Sequence, residues 1–116
     1  HGIQEVTLEI PGGSVDPGEE PLQGGLRELR EETGYDGSDA LIIGVVAPNP
    51  AIMNNRCHTV LVRHVKVVGA PQLEGYEEIQ TKLVPLTDVP ELIRSGAISH
   101  SLVITAFHHF DLRRSA

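Results

Sequence analysis

A single cysteine, Cys57, is all the sequence contains, so no intrachain disulfide can form. Disulfides belong to oxidising compartments. A lone cysteine in an alternating segment reads instead as a small, buried apolar residue, and a cytoplasmic location is expected. Positive charge is scarce: nine Lys and Arg against sixteen Asp and Glu leave a net charge of −7. That balance argues against long nucleic acid as a partner. Small phosphorylated ligands stay open, provided a cation screens them. No apolar run exceeds Leu41 to Ala47, far short of the ~20 residues that cross a bilayer. No membrane partner is therefore expected, and no signal-peptide pattern is visible. Repeats, low-complexity tracts and linkers are also missing.

What is there fits one domain over residues 1–116, with 40% apolar and 22% charged residues. Such a chain can bury a core without metals or disulfides. It opens at His1, without Met, directly on an alternating pattern. Ile3, Val6, Leu8 and Ile10 read as a strand, ended by Pro11-Gly12-Gly13. Pro21 suits the first turn of a helix, Leu22, Leu26, Leu29 and Thr33 form its stripe, and Gly34 suits its C-terminal cap. Leu41–Ala47, Cys57–Val68 and Ile79–Leu86 read as strands. Thr87 can cap a short helix containing Pro90 and ending near Gly96, and Ser99 or Ser101 can cap a last helix carrying Leu102, Ile104, Ala106 and Phe110. Strands interleaved with a few helices predict an α/β or α+β sandwich.

The segment from Gly13 to Tyr35 carries the chemistry. Glu28, Glu31 and Glu32 fall three and four residues apart, so on a helix their side chains are neighbours. Like charges at that spacing cost roughly 0.2–0.5 kcal/mol per pair. Gly24 and Gly25 in the same helix cost about 1 kcal/mol each relative to Ala. A helix that breaks local rules this often is expected mainly at a functional site. A hard divalent cation would turn the carboxylate cluster from repulsive to favourable, and oxygen-only ligands point to Mg²⁺ or Mn²⁺. Glutamates on a helix are usually a solvated face. That reading does not explain Gly13 and Glu19 at fixed offsets upstream.

The segment resembles the Nudix box, Gly-x5-Glu-x7-Arg-Glu-U-x-Glu-Glu-x-Gly-U, where U is bulky and apolar. Its seven fixed identities stand at Gly13, Glu19, Arg27, Glu28, Glu31, Glu32 and Gly34. At about one in twenty per position, chance agreement is on the order of one in a billion per starting point. Leu29 fits the first apolar position and Tyr35 fills the second, where an aliphatic is commoner. Looser patterns resemble the ADP-ribose pyrophosphatase-type subgroup: Leu8-Glu9-Ile10-Pro11-Gly12-Gly13 before the box, Pro50 fifteen residues after Tyr35, and Tyr76-Glu77-Glu78-Ile79 beyond. Two departures stand out. Gly24-Gly25 replaces the family's small alanines, which would loosen the helix, and only 12 residues precede the box.

The resemblance implies an α/β/α sandwich with a mixed β-sheet, N-terminal strands being missing from this chain. It implies Glu28, Glu31 and Glu32 as metal ligands, joined by the carbonyl of Gly12 or Gly13, with Mg²⁺ as the metal and Mn²⁺ as a substitute. Arg27 would orient the carboxylates by pairing with Glu19 or Glu31. Metal would activate a water for attack on phosphorus, and a base would take its proton. Glu31 is one candidate base; Glu74, Glu77 and Glu78 of an acidic segment are the others. Pro50, Arg56 and Tyr76 are candidate substrate contacts, Tyr76 as the best available stacking partner for a nucleobase. Arg56 suits a phosphate or a ribose, and a plain loop role as well.

The implied activity is Mg²⁺-dependent hydrolysis of a pyrophosphate in a nucleoside diphosphate linked to another group, with ADP-ribose or a related nucleotide sugar first. The alternatives are a nucleoside triphosphate or dinucleoside polyphosphate pyrophosphatase, and a non-catalytic nucleotide-binding domain. Zinc held by His100, His108 and His109 is disfavoured, since adjacent helical residues point about 100° apart. An unpaired apolar strand at Ile3–Ile10 would invite aggregation. It is expected beside elements outside this chain or on a second subunit, and a homodimer is expected.

Overall fold

The computed structural model describes residues 8–48, 56–73 and 79–114. The first element is helix α1, Pro21–Thr33. Pro21 opens it where an N–H would have no partner in any case. Gly34 closes it at φ 78°, donating its N–H to the carbonyl of Arg30, a left-handed cap that favours glycine. Strand β1, Tyr35–Val46, follows at once and pairs antiparallel with β2, Cys57–Val67. The ladder runs from Tyr35 opposite Val67 to Val46 opposite Cys57, with its register shifted between Ile42 and Gly44. Ile43 is thus the extra residue of a β-bulge. Cys57 is half-buried at the start of β2 rather than in the core.

The register also decides where the helices lie. Ile42 pairs with Val60 and Gly44 with Thr59. Residues 59 and 60 point to opposite faces, and paired residues share one. A Cβ on Gly25 of α1 would meet the Val60 side chain, while a Cβ on Gly44 would meet the His109 ring. Helix α1 therefore packs on one face of the sheet. The helix carrying His109, α3 (Ser101–Arg114), packs on the other. This layering is the α/β/α sandwich expected from the sequence. No helix among the described residues is long and apolar enough to cross a membrane.

Between sheet and α3 comes a 3₁₀ turn, Leu86–Asp88, running into α2, Val89–Ser95. Gly96 ends α2 at φ 88°. The buried core is small and lies here: Val89, Ile98, Val103 and Ala106, with Leu8, Leu92 and Phe107 packed against it. The N–H of Leu8 donates to the carbonyl of Ala97 at 3.0 Å, tying the early chain to this core.

Three local readings differ. Residues 79–85 form no strand: Pro85 lacks a backbone donor, Leu83 is 74% exposed, and no partner strand is present among the described residues. Thr87 lies inside the 3₁₀ turn and does not cap α2. Helix α3 is capped by His100, whose Nδ1 accepts the N–H of Leu102 at 3.1 Å, and not by Ser99 or Ser101. The expected strand at 3–10 falls largely outside the described residues, and its described end, 8–10, is not strand.

Candidate active site

The site is built where the loop from Gly12 to Asp16 crosses the acidic side of α1. Gly12 donates its N–H to Glu32 Oε2 at 2.9 Å. A Cβ on Gly13 would lie 2.4 Å from Glu28 Oε1. A side chain at position 13 would push the Glu28 carboxylate out of this place.

Arg27 stands at the centre. Its Nε and Nη2 donate to the two carboxylate oxygens of Glu19 at 2.8 and 3.1 Å, a fork that matches the guanidinium plane. Nη2 also donates to the carbonyl of Ser14 at 3.0 Å. Nη1 turns the other way, to Glu28 Oε1 at 2.9 Å and Glu31 Oε1 at 3.3 Å. Asp16 adds a longer ion pair at 3.4 Å, and its N–H donates to Glu19 Oε1 at 2.9 Å. The hydrogen bond from Arg27, and then that from the Asp16 N–H, hold the Glu19 carboxyl below the ordinary glutamate range. Glu19 in turn is the main reason that Arg27 is held above its own already high value. Arg27 and Glu19 are 20% and 17% exposed, so water screens this cluster less than a surface pair.

The opposite wall comes from the segment leaving β2. The N–H of Val68 donates to the carbonyl of Gly34 at 2.8 Å, and that of Gln72 to the carbonyl of Glu31 at 2.6 Å. A Cβ on Gly34 would lie 2.2 Å from the Gly69 carbonyl oxygen. This strap lays Gln72 and Leu73 along the rim of a concavity of about 380 Å³. Glu28, Glu31, Glu32 and Arg27 line its floor, and Gly12, Ser14 and Asp16 its loop side.

The box residues named from the sequence therefore lie together. Arg27 pairs with both Glu19 and Glu31, where either was expected. Arg56 is exposed ahead of β2 and does not line the concavity. Pro50, Glu74, Tyr76, Glu77 and Glu78 lie outside the described residues. Gln72 and Leu73 were missed, because only the tertiary docking of the strap puts them here. Gly24-Gly25, read as loosening α1, instead allows close packing: Gly24 is buried against Glu19 and Val15, and the half-buried Gly25 lies against Val60.

A NUDIX domain pattern matches residues 2–107. The chain belongs to the Nudix family. It is 27% identical over 114 residues to the ADP-ribose pyrophosphatase of Bacillus subtilis (strain 168), a match covering 97% of this chain and 62% of that protein. It is 35% identical over 88 residues to the CMP-5'-(N-acetyl-N-hydroxy-3-aminopropyl)phosphonate hydrolase of Streptomyces rubellomurinus (strain ATCC 31215), covering 76% of this chain and 42% of that protein. The crystal structure of an ADP compounds hydrolase superposes with a TM-score of 0.73 at 22% identity, over 90% of this chain and 56% of that one. The likeness confirms the Nudix fold, and the chain spans less than two thirds of these relatives' length.

Proposed function

We propose that this Nudix domain hydrolyses the pyrophosphate of a nucleoside diphosphate linked to another group, ADP-ribose or a related nucleotide sugar being the first substrate to test. The observation that carries the reading is the gathering of Glu28, Glu31 and Glu32 with Arg27 in one polar concavity. The names of the first two relatives, a pyrophosphatase and a nucleotide-phosphonate hydrolase, support that substrate class.

The donor chemistry fits a hard divalent ion. The three acids supply only oxygen, and the missing Cβ of Gly13 lets the loop backbone lie against the Glu28 carboxylate. Among the described residues no three acidic, His or Cys side chains stand grouped as a ready metal site. Arg27 holds Glu28 and Glu31, and the Gly12 N–H holds Glu32. Glu28, Glu31 and Glu32 would bind Mg²⁺ or Mn²⁺, with the Gly12 or Gly13 carbonyl as a further donor. The ion would neutralise pyrophosphate charge and lower the pKa of a water. The chain's own residues do the rest. Arg27 and Glu19 hold loop and helix in register, so the acids face one space. Glu31 or one of Glu74, Glu77 and Glu78 would take the proton from the attacking water. The acidic segment is the stronger candidate by resemblance to the ADP-ribose pyrophosphatase-type subgroup.

Turnover of a nucleotide panel, with Mg²⁺ and with EDTA, tests the reading. Glu31→Gln and Glu32→Gln should each keep the far-UV spectrum of the wild type and lose most of the turnover. Equal rates in EDTA and Mg²⁺ would refute metal dependence. No turnover of any nucleotide by the full-length protein would favour a binding-only role.

A further inference from the structure

The carboxylates of the site are not engaged alike. Glu32 receives the backbone N–H of Gly12, whereas Glu28 and Glu31 share one nitrogen of one side chain, Arg27 Nη1. The other edge of that guanidinium is committed: Nε and Nη2 hold Glu19, and Nη2 also holds the Ser14 carbonyl. Arg27 is therefore pinned along one edge and presents its remaining nitrogen to two acids on the floor of the concavity.

We propose that Arg27 is an internal cation that competes with a divalent metal for Glu28 and Glu31, and so sets how tightly metal loads. The inference rests on the metal-dependent reading above and deepens it. A guanidinium stays charged at any working pH, so it cannot yield these acids by losing a proton. A charge-assisted hydrogen bond and a metal bond draw on the same carboxylate oxygens. The Glu19 fork prevents Arg27 from following the two acids toward an ion. Gly13 closes on Glu28 Oε1 from the loop side, leaving Arg27 or an ion as its counter-charge. Loading thus exchanges one cation for another. The Glu19 fork stays intact, and the loop stays in place.

Titrating the full-length protein with Mn²⁺ and following free Mn²⁺ by electron paramagnetic resonance tests this. Arg27→Gln, with folding checked by circular dichroism, should bind Mn²⁺ about threefold tighter or better, because a like charge next to the ion is removed. Equal or weaker binding by the folded variant would overturn the proposal. If the variant does not fold, the wild type still decides by ¹⁵N NMR of its arginine side chains during a Mg²⁺ titration. The Arg27 Nη1 protons should shift with bound Mg²⁺ while its Nε–H, on Glu19, stays put. Movement of both together, or of neither, would overturn the proposal. Failure of the wild type to bind Mn²⁺ at millimolar concentration would remove the metal-dependent reading itself. Normal wild-type binding without the gain in Arg27→Gln removes only the competition.

Discussion

Replacing Gly25 by Ala sets two effects of known size against each other. Alanine in a helix interior is favoured over glycine by about 1 kcal/mol, so by propensity alone the change stabilises. The new methyl would, however, stand 2.9 Å from Val60 Cγ2 and 3.1 Å from Val60 Cβ. Valine is stiff about χ1, and Val60 is fixed in the ladder opposite Ile42. The strain must go into a shift of α1 against the sheet. Overpacking of this kind costs about 1–3 kcal/mol, so the net expectation is a loss of about 0–2 kcal/mol. The sign should reverse once the obstacle is gone. In a Val60→Ala background, Gly25→Ala should stabilise by up to about 1 kcal/mol. Urea unfolding of the four proteins of this cycle gives the coupling, expected at about 1–3 kcal/mol. A wild-type background in which Gly25→Ala clearly stabilises, or a coupling near zero, would refute the packing argument.

Glu19, held below the ordinary value near 4.5 by Arg27 and the Asp16 N–H, gives a pH dependence of fixed sign. A depressed carboxylate contributes stability above its unfolded pKa and loses it as pH falls through the folded value. The stability gap between wild type and Glu19→Gln, from urea unfolding, should be full at pH 7 and close progressively below about pH 4.5. A gap that is flat down to strong acid would contradict it. Among Glu74→Gln, Glu77→Gln and Glu78→Gln, one should lower kcat at least about tenfold with metal affinity nearly unchanged. If all three keep wild-type kcat, Glu31 or metal-activated water becomes the better account. The full-length protein is expected to be a homodimer, consistent with exposed Val45, Val65, Val67 and Val68 along the sheet and just beyond β2. A monomeric mass by light scattering at micromolar concentration would count against this.

The sequence exposed the site more fully than it exposed the sheet. Glu28, Glu31 and Glu32 were readable as neighbours because helical geometry fixes their spacing within one element. Gly34 and Gly96 were readable as helix ends because a left-handed cap favours glycine. The fork of Arg27 on Glu19 was half visible. Its contacts with Ser14 and Asp16 were not, since they depend on how the loop folds back. Residues 35–40 carry Asp36, Gly37, Ser38 and Asp39, poor strand formers, and the ladder with 62–67 overrides that preference. In the reverse direction, the alternation of 79–86 resembled a strand, but alternation cannot supply a partner. His100 escaped notice as a cap because Ser99 and Ser101 stood on either side of it and imidazole is an unusual capping group.

The strap after β2 ties two regions into one opening unit. The amides of Val68 and Gln72 both end on carbonyls at the C-terminal end of α1, those of Gly34 and Glu31. Neither bond survives if that helical turn frays, and the turn loses two acceptor partners if the strap lifts. Glu31 belongs to both: its carbonyl anchors the rim and its carboxylate faces the concavity. Solvent exchange at these amides is thereby linked to exposure of the acids. A disturbance that begins in the rim, far along the chain from the box, reaches the glutamates of the concavity through the backbone alone.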